Sequence, residues 1–181
     1  MLTIVVPAVE AWDERIEEFV FLGQEQRLEL EHSLVSLSRW ESKWLKSFIS
    51  NKHKSDEETM DYIRCMTLTP NVDPEVYKRL TRENIQQIND YIAAPMTATQ
   101  FSSEGSGSRN RETVTAELIY YWMNALNIPL EWENRHLNQL ITYIRVCNIK
   151  NQPPKKRSQT ALLNEYAALN AARQKQFNSK G

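Results

Sequence analysis

Glycine is scarce in this chain, and that scarcity limits the folds open to it. Only four of the 181 residues are glycine, and three of them, Gly105, Gly107 and Gly181, lie in evident loop or terminal sequence. β-Barrels and β-sandwiches need many tight turns, which depend heavily on glycine. We therefore expect helix to dominate. Hydrophobic residues make up 41% of the chain, which also has five tryptophans, and this is enough for a sizeable core.

The first 31 residues have the pattern of strands. LTIVV is apolar and β-branched, and the segments EEFVFL and RLELE flank residues 23–26 as the two strands of a hairpin would. In RLELE, Leu28 and Leu30 alternate with charged residues, so one face is expected to be buried and the other solvated. This pattern predicts a small antiparallel sheet of about three strands within residues 2–31.

Residues from 33 to about 147 have the periodicity of helices. In the first helix, apolar residues at steps of three, four and four share one side and are expected in the core: Leu37, Trp40, Trp44 and Phe48. Side chains that can cap a helix mark the next three starts: Ser55 paired with Glu58, Asp73 before a proline, and Thr81. The helix that begins after Ser55 is expected to end near Thr67.

A loop and two further helices follow. The Ser/Gly-rich residues 102–110 are typical of a flexible loop, and the preceding MTATQF has some extended character. The next helix carries one apolar stripe, Val114, Leu118, Trp122 and Ala125, which Ile119, Met123 and Leu126 widen. The helix after it carries Leu137, Leu140, Ile141 and Ile144. These elements should complete a helical bundle.

The last thirty residues differ from the rest. Domains mostly hold about 100–150 residues, so we expect one α+β domain over residues 1–150 and an appendage over 151–181. The appendage begins with NQPPKKRS, whose paired prolines favour an extended spacer and whose Ser158 can cap a helix. That helix has a thin apolar stripe, Leu162, Tyr166 and Leu169. Such a helix is unstable alone in water, so we expect this Pro-Pro basic linker and C-terminal helix to dock on another surface.

Charge separates the two ends of the chain. Residues 1–31 contain eight acids and two bases, a formal charge of −6, and residues 150–181 contain seven bases and one acid, a formal charge of +6. An acidic beginning and a basic end can attract each other within one chain or between neighbours. Head-to-tail self-association is therefore possible.

No motif in the sequence has the pattern of an active site. His32, His53 and His136 show neither the spacing of a metal-binding helix nor HExxH, and each is interpreted as a surface or satisfied core residue. Cys65 and Cys147 lack CxxC spacing, which predicts small buried hydrophobes in a reducing cytoplasm rather than a disulfide scaffold or zinc site. We expect no enzyme, and no catalytic, cofactor-binding or metal-binding residue.

The segment SDEETMD gathers four carboxylates, Asp56, Glu57, Glu58 and Asp61. Their spacing and position favour a helix N-terminus with a capping box over a metal or acid–base site. Elsewhere no stretch approaches the roughly 20 apolar residues that span a bilayer, and we expect no membrane partner.

Two features leave the kind of partner open. Trp132 stands between Glu131 and Glu133 and can belong to the core or to an interface. The basic end can bind nucleic acid, but its aromatic residues are limited to Tyr166 and Phe177, so docking on an acidic or helical protein is favoured.

Several longer segments carry a family resemblance: LEHSLVSLSRWESKW, DYIRCMTLTPNVDPEVYKRLT, PMTATQF, ELIYYWMNALNIPLE, LITYIRVCNIKNQPPKKRS and ALNAARQKQ. Together they resemble small proteins encoded among the tail genes of long-tailed bacteriophages (the siphophage tail-gene group), and within that group the tail assembly chaperones. The resemblance covers nearly the whole chain except SSEGSGSRN. It implies a chaperone without catalytic residues that coats the long, helical tape-measure protein and brings tail-tube subunits to it, in the host bacterial cytoplasm during phage assembly.

Other functions remain open at this point. One is a permanent virion component, such as a neck or tail-completion protein, and another is a nucleic-acid-binding module that uses the basic tail. For the chaperone, the residues expected to contact partners are Lys155, Lys156, Arg157, Leu162, Tyr166, Leu169, Arg173 and Trp132.

Overall fold

A computed structural model describes residues 1–51, 53–101, 113–152 and 159–177. The fold is α+β and predominantly helical, as predicted. The chain divides into two compact units, Met1–Asn148 and Ile149–Gly181. The predicted loop at 102–110, Ser158 and most of the Pro-Pro linker lie outside the described residues.

Four strands open the chain: β1 Leu2–Val6, β2 Val9–Asp13, β3 Glu18–Gly23 and β4 Gln26–Leu30. They form two antiparallel pairs, β1 with β4 and β2 with β3. Val6 lies opposite Gln26, and Val9 lies opposite Gly23, so the same register runs through both pairs until a bulge after Val9. The β2–β3 pair therefore continues the β1–β4 ladder, and we call it the hairpin arm.

The predicted pairing of EEFVFL with RLELE is wrong. β4 pairs with β1 because this register places Ile4 and Val6 beside Leu28 on one buried face. β3 pairs instead with β2, whose sequence VEAWD was not identified as a strand because its acidic residues interrupt the apolar pattern. The structure thus has four strands where about three were expected.

Arg79 lies at the joint between the two strand pairs. Its Nη1 donates hydrogen bonds to the backbone oxygens of Pro7 and Gln24, both at 3.0 Å. Proline has no N–H to donate to the ladder, and at this point the Arg79 side chain supplies hydrogen bonds that link the two strands. A Cβ on Gly23 would lie 2.7 Å from the guanidinium carbon, and glycine there permits the close approach.

Helices α1 to α4 cover Leu34–Trp44, Asp56–Met66, Pro74–Lys78 and Arg82–Ala93. The predicted caps are confirmed: Ser55 and Glu58 form a capping box, and Asp73 and Thr81 each accept a hydrogen bond from the first turn of their helix. These starts were predictable because each cap involves residues within three positions of one another.

α1 ends earlier than predicted, so Phe48 is not part of it. Leu45 has φ 53°, a left-handed conformation that stops the helix after Trp44. Phe48 still reaches the core, where its ring stacks on Tyr62 with 3.9 Å between centroids. Trp40 is fully buried as expected, whereas Trp44 is half-buried.

The remaining helices are α5 Ala116–Ala125, a 3₁₀ helix Leu130–Asn134, α6 Leu137–Asn151 and α7 Gln159–Phe177. The buried residues of α5 are Ala116, Ile119 and Met123. The stripe predicted to be the main apolar side is therefore less buried: Leu118 and Trp122 are half-buried and Ala125 is exposed. MTATQF forms no strand in its described residues 96–101.

The core has two clusters, and α1 contributes to both. One packs the β1–β4 pair against Trp40 and helices α2 to α4, and the other packs the start of α1 against α5 and α6. The buried Glu41 joins α1 to the second cluster because its carboxylate accepts hydrogen bonds from the backbone N–H groups of Phe48 and Ala116, each at 2.7 Å.

Candidate interaction surfaces

Two histidines meet in the interior where β4 leads into α1. His32 and His136 are 3% and 4% exposed, and their ring centroids lie 5.0 Å apart. The Nε2 atom of His136 is 3.0 Å from the backbone oxygen of Tyr91, and its Nδ1 accepts the N–H of Asn138 at 3.3 Å. A carbonyl only accepts, so Nε2 carries the proton and the His136 ring is neutral.

His32 is also held neutral. Its Nδ1 lies 2.6 Å from the Tyr62 hydroxyl, and burial, together with the positive charge that His136 would carry, lowers the pKa of His32 to about 3. Burial likewise lowers the pKa of His136 and raises that of Tyr62. Both rings are satisfied core residues, as predicted, and a group so closed to solvent is placed to hold the two clusters together.

The carboxylates of SDEETMD act within the fold. Glu58 accepts from the Ser55 N–H at 2.9 Å and forms an ion pair with Lys46 at 2.5 Å. Asp61 pairs with Lys43 at 2.5 Å and accepts from the indole N–H of Trp44 at 2.9 Å. The capping interpretation is confirmed. Among the described residues, no group of three His, Cys, Asp or Glu side chains is arranged to hold a metal ion.

Cys65 does not have the environment of a reactive thiol. Cys65 and Cys147 are both free and half-buried. Burial, and then the nearby Asp61 carboxylate, raise the pKa of the Cys65 thiol. A raised pKa reduces the thiolate fraction, which is the nucleophilic form.

An apolar cavity of about 250 Å³ lies between α2 and α4. Phe48, Tyr62, Ile88 and Ile92 contribute to its wall, and Lys54 stands at it with Nζ 4.0 Å from the Phe48 ring centroid. Burial lowers the pKa of Lys54. Tyr62 and Ile88 belong to the first core cluster, and the exposed Asn89 also lines the cavity, which is therefore open to solvent at the edge of that cluster.

The described large apolar side chains of α7 are exposed. Leu163, Tyr166, Leu169 and Phe177 are 68%, 62%, 47% and 72% exposed. Tyr166, Leu169, Arg173 and Phe177 follow one another at steps of three, four and four, which places them on one side of the helix. We call these four residues the α7 face. A helix with this much exposed apolar surface gains stability by covering it.

The predicted partner residues divide among different parts of the chain. Tyr166, Leu169 and Arg173 lie together on the α7 face. Leu162 lies on α7, but its side chain is outside the described set, as are Lys155, Lys156 and Arg157. Trp132 belongs to the other unit, where its ring stacks on Tyr143 with centroids 4.3 Å apart and the Arg135 guanidinium lies over it at 4.7 Å.

The hairpin arm is a second exposed apolar surface, which the sequence analysis missed. Trp12 and Phe19 face each other across the two strands, with ring centroids 5.1 Å apart, and are 52% and 66% exposed. Ile16, in the turn, is 54% exposed. Exposed carboxylates lie close to these side chains in the sequence: Glu10, Glu14, Glu17 and Glu18. The available signal was the insertion of aromatic residues into an acidic run, a pattern poorly suited to a buried strand.

Comparison with protein-family models, with curated proteins and with solved structures finds no match to this chain. Within the residues that the structure describes, no helix is both long and apolar enough to cross a membrane. The α7 face and the hairpin arm are two exposed apolar surfaces among the described residues.

Proposed function

We propose that this protein is a non-enzymatic tail assembly chaperone of a long-tailed bacteriophage, which binds the tape-measure protein and helps to recruit tail-tube subunits in the host cytoplasm. The observation that carries the proposal is the exposed α7 face, where Tyr166, Leu169 and Phe177 lie open along one side of a 19-residue helix. The family resemblance of the sequence supplies the identity of the client.

The α7 face suits a long helical client. An amphipathic helix binds by placing apolar residues at steps of three and four into a groove or along another helix. Full burial of each such side chain contributes about 1.5–3 kcal/mol, and association costs several kcal/mol in lost freedom. One copy therefore binds weakly, while many copies along one filament bind strongly through multivalency. Weak single contacts also allow release when the tail tube assembles.

The direct test is co-expression with the tape-measure protein encoded in the same tail-gene cluster. The full chain should keep that protein soluble and co-purify with it. The double variant Tyr166→Ala/Leu169→Ala should lose most of this capture, because it removes the centre of the α7 face. Leu68→Ala is a matched control, since Leu68 is 53% exposed but lies after α2.

Four outcomes would overturn the proposal. If the full chain does not capture the tape-measure protein, that protein is not its client. If the double variant captures it as well as the full chain does, the α7 face is not the binding surface. Mass spectrometry that finds this protein in purified virions as a stoichiometric part identifies a virion component instead. Salt-sensitive binding to non-specific DNA, without capture of the client, identifies a nucleic-acid-binding module.

A further inference from the structure

The hairpin arm has no role in the proposed capture of a client, yet its surface is unusual for a strand pair. The β1–β4 pair buries its apolar face, while the arm exposes Trp12, Ile16 and Phe19. Aromatic pairs on an exposed hairpin resemble the centre of a protein interface, since Trp and Phe supply large contact areas at low conformational cost.

Charge specifies what such an interface would accept. Residues 10–18 carry five acids and one arginine, a formal charge of −4. Desolvating the aromatic pair brings neighbouring carboxylates close to the partner, and an acidic or neutral partner would leave them unpaired. The arm therefore fits a partner that combines apolar side chains with basic ones.

The α7 face has this combination. Arg173 lies on the same side of α7 as Leu169 and Phe177, and α7 as a whole, with Arg173 and Lys175 against Glu165, has a formal charge of +1. Lengths also agree. The twelve residues from Tyr166 to Phe177 rise about 17 Å in eleven steps of about 1.5 Å, and the six residues of β3 extend about 17 Å in five steps of about 3.3 Å.

We propose that the hairpin arm of one copy binds the α7 face of a second copy, with Trp12 and Phe19 packed against Leu169 and Phe177 and with Arg173 facing the arm carboxylates. The two surfaces are different, so the contact is heterologous, and each added copy leaves one arm and one α7 face free. Copies then join head to tail into chains whose length depends on concentration.

This inference goes beyond client binding, but it has a consequence for it. Self-association covers the same α7 face that the tape-measure protein would use, so a second copy and the client compete for one surface. The arm thereby shields an apolar helix from aggregation while no client is present. Arm variants should lose self-association and keep client capture, whereas α7 variants should lose both.

Sedimentation velocity of the full chain tests the contact. The arm variant Trp12→Ala/Phe19→Ala and the α7 variant Leu169→Ala/Phe177→Ala should each weaken association about tenfold or more, since central aromatic contacts dominate interface energies. A 1:1 mixture of the two variants should form a heterodimer that grows no further. The arm variant retains its α7 face and the α7 variant retains its arm. One such contact can form between them, and no intact surface is then left to bind a third copy.

Two charge-reversing substitutions on opposite sides of α7 provide a matched comparison. Arg173→Glu should weaken association, because it places a carboxylate opposite the arm acids. Lys175→Glu makes the same charge change on the opposite side of α7 and should have a much smaller effect. Both residues are exposed, so neither substitution should disturb folding. Circular dichroism provides the check.

The results divide cleanly. A heterodimer from the mixture, with a larger loss for Arg173→Glu than for Lys175→Glu, supports the contact. An unchanged wild-type monomer at all concentrations, larger assemblies from the mixture, or equal losses for the two charge variants would overturn it. None of these readouts involves the client, so failure of client capture leaves this inference standing, and failure here leaves client capture standing.

Discussion

The two antiparallel strand pairs meet in one register, which shifts at a bulge after Val9, but they have opposite environments. In the β1–β4 pair, Ile4 and Leu30 are 1% and 0% exposed. In the hairpin arm, Trp12 and Phe19 are 52% and 66% exposed. Arg79 holds the joint between the two pairs.

The difference comes from what packs on each pair. Helices α2 to α4 cover the apolar face of β1 and β4, and the Asn84 side chain donates to the Val5 backbone oxygen at 3.1 Å. β4 is also held by the segment that follows α2, where the Leu68 N–H donates to the Glu29 backbone oxygen at 2.8 Å. One ladder therefore serves two purposes. Its inner part stabilises the body, and its outer part presents apolar side chains to solvent.

The largest expected effect is at the inner pair. Leu30→Ala should lower the free energy of unfolding by about 2–5 kcal/mol, because it leaves a cavity at a fully buried site. Val5→Ala, on the same pair but 42% exposed, is the control and should cost less than about 1 kcal/mol. Urea denaturation measures both, and equal costs would contradict the assigned burial.

The second largest effect is expected from acid, which should lower the free energy of unfolding through His32, just after β4. The pKa of His32 is about 3 in the folded chain and about 6.5, the ordinary value for histidine, in the unfolded chain. Below about pH 6.5 the unfolded chain therefore binds a proton at His32 that the folded chain does not. Stability is present above that value and falls as the pH drops. Between pH 7 and pH 5, His32 alone should account for a loss of about 2 kcal/mol.

Urea titrations at several pH values check this slope. His32→Gln should make this slope shallower, and the slope that remains should include a contribution from His136, whose pKa burial also lowers. A wild-type stability that stays constant between pH 7 and pH 5 would show that His32 becomes charged without cost, contrary to its burial.

A smaller effect is expected at the joint. Arg79→Ala removes two hydrogen bonds to backbone oxygens and should destabilise the arm by about 1 kcal/mol. Gly23→Ala should act in the same direction, since its Cβ displaces the guanidinium. Hydrogen exchange of arm amides should rise about fivefold, and that of β1–β4 should stay constant. An equal rise in both pairs would show that Arg79 supports the whole ladder.

The smallest effect on folding is expected on the arm itself. Phe19→Ala removes one edge-to-face aromatic contact with Trp12 and should cost about 0.5 kcal/mol under conditions where the chain is monomeric. Denaturation at low protein concentration and high salt measures it. A loss comparable to that of Leu30→Ala would mean that the arm is part of the core.

The sequence predicted those features that depend on near neighbours. The caps at Ser55, Asp73 and Thr81 were identified because a cap and its acceptor lie within three residues. α7 was expected as a helix after Ser158, and a helix does begin at Gln159; of its predicted stripe, Tyr166 and Leu169 are exposed, and the side chain of Leu162 lies outside the described residues.

Features that depend on distant partners were not predictable. EEFVFL had the composition of a core strand, and only its pairing with VEAWD shows that Phe19 is exposed. The helix period continued through Phe48, and the left-handed Leu45 ended α1 before it. His32 and His136 are 104 positions apart, so no local pattern indicated that their rings meet.

Sedimentation velocity of the unmodified chain tests the central claim most directly. The claim is that the acidic aromatic arm and the α7 face with its Arg173 are mutual binding surfaces of different copies. In about 0.1 M salt, the sedimentation coefficient should rise steadily with protein concentration, and in about 1 M salt this rise should shrink, because the Debye length falls from about 10 Å to about 3 Å. A single monomeric species at every concentration in both salts would contradict the account.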